Sequence, residues 1–155
     1  VKRVNLHDDV WDRERDREGW SWRTRQLGGA IGASLIGASL YELPPGQRTF
    51  PYHYEYGNEE WLLVVSGRPL LRTPEGESRL EPGDVVCFVE GPDGAHQVRN
   101  DGETPVKVVI FSTKRTPSVA VYPDSDKIGL WPARGESQDS LMVHRDSGVD
   151  YWSGE

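Results

Sequence analysis

The chain has 155 residues, enough for one domain with a sizeable core, and its formal net charge of -7 lacks the clustered basic footprint that nucleic-acid binding requires. Only 35% of the residues are hydrophobic, yet 10% are aromatic, which describes a folded domain with a wet surface and long loops, not a disordered chain. Seventeen glycines and eleven prolines imply many turns and favour an all-β fold.

Cys87 is the only cysteine, so no intrachain disulfide can form and a reducing compartment is the default. The sequence opens on charged residues and not on an apolar signal-like segment. Its longest uncharged stretch, Gln26 to Tyr41, is short for a membrane span and rich in Gly and Ser. These features predict a soluble, cytoplasmic protein with neither nucleic acid nor membrane as partner.

Along the chain, residues 1–19 are polar, and the mixed-sign run Asp12 to Glu18 reads as a solvated arm or a short exposed helix. From Trp20 to Arg25 the pattern alternates like a strand, and Ser34 to Leu43 forms another that Pro44-Pro45-Gly46 ends. Glu60 to Val65 is a third, with Glu60, Leu62 and Val64 on one face and Trp61, Leu63 and Val65 on the other. Pro74-Glu75-Gly76 predicts a hairpin between Pro69–Thr73 and Glu77–Leu80, Pro82-Gly83 a turn before Asp84–Val89, and Asp101-Gly102 a hairpin between Val98 and Val106–Phe111. After Thr116 the pattern dissolves, with weak strand character near Val119–Tyr122 and Leu141–Val143. The predicted organisation is an arm over 1–19, a β-barrel or sandwich over 20–116, and an extension over 117–155 packed on the barrel or on a partner subunit.

The chemistry concentrates in two short segments. In a strand, residues i and i+2 face the same way about 7 Å apart, so His53 and Glu55 can reach one point. Glu60 follows the turn Tyr56-Gly57-Asn58, so its strand can fold back beside the first. His96 arrives from a later strand beyond Gly91-Pro92-Asp93-Gly94. Imidazole and carboxylate donors of this mix suit divalent Mn, Fe, Co, Ni or Zn. Glu59 competes with Glu60 for the role. His7 and His144 read as surface residues, Tyr52, Tyr54 and Tyr56 as lying outside the cavity, Cys87 as a small buried hydrophobe, and Asn100 as a support for the His96 loop. No phosphate loop, nucleophile elbow or paired CxxC is present in the sequence.

From Pro45 to about Phe111 the chain resembles the cupin superfamily. Gly46, His53-Tyr54-Glu55, Glu60 and Gly67 correspond to the first cupin motif; Gly83, Gly91, His96 and Asn100 correspond to the second. The resemblance implies a jelly-roll barrel, the cupin double-stranded β-helix, holding a metal through His53, Glu60 and His96. Small cupins are often homodimers, and sheet edges need cover, so a homodimer is expected.

Three departures bear on the expectation. Val89 and a longer loop change the second motif, which loop-closure entropy tolerates. The second histidine of the first motif is Glu55, which goes to the chemistry. With Glu55 as fourth ligand, two imidazoles and two carboxylates neutralise a divalent ion and weaken it as a Lewis acid. With Glu55 turned away, two His and one carboxylate resemble non-haem Fe(II) sites, and Glu55 is free as an acid–base group. A third alternative is a barrel without metal.

The expectation is therefore one divalent ion (Fe, Mn or Zn) on His53, Glu55, Glu60 and His96. The protein would be an enzyme acting on a small polar molecule, of dioxygenase, decarboxylase or sugar isomerase type. The alternative is a non-catalytic barrel that binds or senses a small ligand.

Overall fold

The structure is a computed structural model that describes residues 1–133 and 137–155. Among the described residues the framework is all β, apart from a five-residue helix and three single 3-10 turns. A six-stranded antiparallel sheet contains β1 (Arg13–Arg15), β2 (Trp22–Arg25), β3 (Ile36–Leu43), β5 (Glu60–Ser66), β8 (Val85–Phe88) and β10 (Val106–Thr113), in the order β1-β2-β3-β10-β5-β8. The second layer has two parts. One is β6 (Leu70–Thr73), β7 (Gly76–Arg79) and β9 (Gln97–Arg99), in the order β7-β6-β9. The other is β4 (Tyr54–Tyr56), β11 (Ser118–Tyr122), β12 (Lys127–Trp131) and β13 (Leu141–His144), in the order β13-β12-β11-β4. Isolated bridges Arg48↔Arg99 and His53↔His96 join these parts.

The layers close over a core that the strand period creates. Leu62 and Val64 of β5, Val106, Val108 and Ile110 of β10, Leu43 of β3 and Phe88 of β8 meet Leu71, Leu80 and Val98 from the facing layer. The alternate positions of the same strands turn outward. Leu63, Val65, Val109 and Phe111 pack with Leu40 and Ala38 under helix α1 (Leu27–Ile31) and under Val4, Leu6 and Trp11. The amino-terminal residues thus cover part of the outer sheet face, and the run Asp12 to Glu18 holds an exposed edge strand, not a helix. Among the described residues no helix is long and apolar enough to cross a membrane.

One consequence of this register positions the site. Along the inner faces, hydrophobic residues give way to polar ones at the same end of the barrel: Val64 and Leu62 lead to Glu60, Val108 and Ile110 to Ser112, and Leu43 and Tyr41 to Ser39. One end is therefore a dry core and the other a polar cavity.

Three sequence expectations change here. The Asp101-Gly102 turn does not make a hairpin: β9 pairs with β6, whereas β10 sits between β3 and β5. Turn chemistry fixes a reversal locally but not the strand that the chain joins next. Strand β5 does not fold back beside β4, because the two belong to different layers. Among the described residues beyond Thr116 there are three strands; two fall at the weak signals near Val119–Tyr122 and Leu141–Val143, and Lys127–Trp131 was not expected. The Pro74-Glu75 hairpin forms, with Thr73 opposite Gly76.

Candidate metal centre

The two histidines face each other across a backbone bridge. The His53 amide donates to the His96 carbonyl at 3.2 Å, and the His96 amide donates to the His53 carbonyl at 2.8 Å. Such a reciprocal antiparallel pair sends both side chains to the same face. The ring centroids lie 4.8 Å apart.

Each ring is pinned by the same device. His53 Nδ1 lies 2.9 Å from the Pro51 carbonyl, and His96 Nδ1 lies 2.9 Å from the Gly94 carbonyl. A carbonyl can only accept, so Nδ1 carries the proton in both rings and the Nε2 lone pair is available. Aromatic faces complete the clamp: Phe88 stacks on His96 at 3.6 Å and 5°, and Tyr122 on His53 at 5.7 Å and 19°.

Glu60 enters from the six-stranded sheet, opposite Phe88 on β8. Its Oε2 lies 3.5 Å from His96 Nε2 and 3.9 Å from His53 Nε2. The donor atoms of His53, Glu60 and His96 all fall within 4.8 Å of one another. Charge-assisted hydrogen bonds would be shorter, at about 2.7–2.9 Å. Two ligand bonds of about 2.1 Å meeting at 90–110° separate their donors by about 3.0–3.4 Å. Two neutral imidazoles and one carboxylate at near this spacing fit a divalent ion.

Burial sets the protonation of the trio. It lowers His53, with the Pro51 carbonyl acting in the opposite sense, and drives His96 down to about 3, aided by His53. It lifts Glu60 to about 8, with the Glu55 carboxylate adding to the shift. The metal-free trio is therefore neutral at pH 7: two imidazoles and one carboxylic acid.

Glu55 lies on the cavity wall but is not one of the three converging donors. Burial raises its carboxyl, and the Asn58 side chain partly offsets this. The cavity has a volume of about 430 Å³ and is otherwise lined by Gln26, Ser39, Ser112, Lys114, Ser118 and Tyr122, among others. Sequence reasoning did not identify any of these six. Ser39 and Ser112 could have been found by extending the inner-face alternation, but Ser118 and Tyr122 needed the pairing of β11 with β4.

Other expected residues lie elsewhere. Glu59 is exposed, and its carboxylate accepts from the Trp61 indole at 2.8 Å. His7 and His144 are exposed. Tyr54 and Tyr56 pack edge to face with each other, and Arg72 lies over the Tyr52 ring. Cys87 is exposed, contrary to the expectation of a buried thiol, because its position on β8 is on the outer face. Asn100 supports a different loop: its amide donates to the Leu43 and Thr104 carbonyls, and its oxygen accepts from the Gly102 amide.

Residues 39–112 match the family model described as a cupin domain. These residues form a cupin domain. Solved cupin-like structures extend the likeness beyond the matched residues. A sugar phosphate isomerase of the cupin superfamily from Silicibacter pomeroyi superposes with a TM-score of 0.80 and 24% identity, covering 94% of each chain. A putative sugar phosphate isomerase from Acidithiobacillus ferrooxidans gives 0.78 and 24%, covering 88% of this chain and 86% of that one. The polyketide cyclase RemF from Streptomyces resistomycificus gives 0.62 and 20%, covering 76% and 83%. No curated protein matches the sequence significantly.

Proposed function

We propose that this cupin is a divalent-metal-dependent enzyme that moves a proton on a small polar substrate, chemistry of the isomerase kind. The observation that carries the reading is the convergence of two pinned Nε2 atoms and one carboxylate oxygen within 4.8 Å on the wall of a polar cavity. His53, Glu60 and His96 would hold the ion, which supplies Lewis-acid polarisation of a substrate oxygen when bound. Glu55 is the acid–base group. It shares the cavity, is outside the ligand trio, and has a carboxyl raised by burial. Gln26, Ser39, Ser112 and Ser118 offer hydrogen bonds suited to a hydroxylated molecule, and Lys114 brings positive charge to the same wall. The isomerase names of two structural neighbours agree with this class.

The test has two stages. Elemental analysis of protein purified without chelators should find close to one Mn, Fe, Co or Zn per chain, and His96→Ala should lose it. Loaded protein is then incubated with a panel of aldose and ketose phosphates in D2O, with deuterium incorporation read by NMR. Incorporation that Glu55→Gln abolishes, while leaving metal content intact, supports the reading. Metal-loaded protein inert to the panel, yet binding its members, would instead favour a non-catalytic ligand barrel.

A further inference from the structure

The cupin match ends at Ser112, but the wall of the cavity continues past it. Strand β11 runs antiparallel to β4, with Ala120 opposite Glu55 and Val121 opposite Tyr54. Opposed residues of an antiparallel pair share a face, and residues two apart along a strand share it too. Ser118 and Tyr122 therefore face the same side as Glu55, and both line the cavity.

Tyr122 stands out from the other wall residues. Its ring stacks on His53, as Phe88 stacks on His96, so each of the two imidazoles is held on one face by an aromatic ring. The Lys127 ammonium lies 5.6 Å from the Tyr122 ring centroid. The two clamps differ in one atom group. Phe88 is part of the dry core, whereas Tyr122 is half-buried and carries a hydroxyl. Among the described residues that hydroxyl has no hydrogen-bond partner. The carboxylate of Glu55 and the ligand groups are acceptors or metal donors, so a neutral phenol stacked on His53 adds a hydrogen-bond donor directly beside a ligand.

We propose that Tyr122 is a working residue of this centre: its ring positions the His53 imidazole, and its hydroxyl donates a hydrogen bond to an anionic or oxygen ligand in the cavity. The inference rests on the metal-centre reading above. It assigns a role in the site to the carboxy-terminal strands, which lie outside the residues that the family model matches.

The experiment uses the full chain with Co(II) as the metal and azide as the ligand probe. Parent, Tyr122→Phe and Tyr122→Leu proteins are titrated with Co(II) by visible absorption, and the loaded proteins are then titrated with azide. Tyr122→Phe keeps the ring, so its cobalt affinity and spectrum should match the parent within about twofold. Tyr122→Leu should bind cobalt roughly 3- to 10-fold more weakly, the scale of one lost aromatic pair. Azide should bind the cobalt form of Tyr122→Phe roughly 5- to 10-fold more weakly than the parent, the scale of one lost hydrogen bond. Thermal melts of the metal-free proteins control for folding; if the Leu variant melts early, Tyr122→Met, closer in length, replaces it. Equal cobalt affinity and spectra in all variants overturn the positioning role. Equal azide affinity overturns the donor role. A parent protein that takes up no cobalt overturns the metal-centre reading itself, and this inference with it.

Discussion

Buried, neutral ligands make the metal-free protein sensitive to pH in a way that can be worked through. Glu60 moves from an ordinary value of 4.5 to about 8 on folding, chiefly by burial. Between those values the folded state holds a proton that the unfolded chain has released, so raising the pH destabilises the fold. His96 moves the opposite way, from 6.5 to about 3, again chiefly by burial. Between those values the unfolded chain takes up a proton that the folded state cannot accept, so lowering the pH destabilises the fold. Where the windows overlap, from pH 4.5 to 6.5, the two slopes cancel. Outside the overlap each group acts alone over about 1.5 pH units, which corresponds to about 2 kcal/mol on each side. Glu55, raised by burial, and His53, lowered by it, reinforce the same limbs.

The expected result is a stability plateau between pH 4.5 and 6.5, falling toward pH 8 and toward pH 3. Urea unfolding of chelator-treated protein, followed by tryptophan fluorescence across that range, measures it. Glu60→Gln should flatten much of the alkaline limb, and saturating metal should do the same, because binding requires the deprotonated carboxylate. At pH 7 metal uptake should therefore release about one proton, readable with a pH indicator in weak buffer. Stability that rises from pH 6.5 to 8 in the metal-free protein, or an alkaline limb untouched by Glu60→Gln, would refute the reasoning.

Three further outcomes can be checked. A methyl group at Gly94 would sit 1.8 Å from the Val89 carbonyl oxygen, a backbone atom that cannot rotate away. Gly94→Ala must therefore reshape the loop whose carbonyl pins His96, weakening Co(II) binding by about 10- to 100-fold; unchanged affinity would contradict the pinning argument. Asn100→Ala removes three hydrogen bonds of a buried side chain, one of them fully buried, and should lower stability by about 2–3 kcal/mol in urea unfolding, whereas a loss under about 0.5 kcal/mol would count against that role. Cys87 should react fully with a thiol reagent in the folded protein, and faster as pH rises, because partial burial and the Glu59 charge hold its thiol above the ordinary value; a reaction that needs denaturant would show the side chain to be covered.

Much of the barrel was legible because its signals are local. The alternation in Glu60–Val65 fixed which side chains face the core, and Pro74-Glu75 closed a two-residue turn between β6 and β7. The cupin motifs then pointed to the segments that the structure brings together. What could not be read was long-range pairing. Nothing in Asp101-Gly102 says that the strand before it joins β6 and the strand after it joins β3 and β5. Cys87 was misjudged because an apolar neighbourhood in sequence does not reveal which face of β8 the arm and helix leave uncovered. The region beyond Thr116 was only partly legible for a related reason: its strands are short, and β11, which ties them to the barrel, pairs with β4, far away in sequence.

The same long-range pairing explains how a barrel otherwise filled with leucine and valine tolerates a cluster of titratable groups. Buried charges would be expensive here, and the metal-free trio avoids them by holding the proton on Glu60 and keeping both imidazoles neutral. Orientation is set independently of protonation. The carbonyls of Pro51 and Gly94 fix the two Nδ1 atoms, and the rings of Tyr122 and Phe88 hold the imidazole planes. A cation entering such a site needs to displace one proton and order few side chains, so its affinity should depend more on the clamps than on solvent exposure. Variants that preserve every donor atom but loosen a clamp, Gly94→Ala on one side and Tyr122→Leu on the other, therefore separate a pre-organised centre from a chance cluster: only the former loses metal when its ligands are left intact.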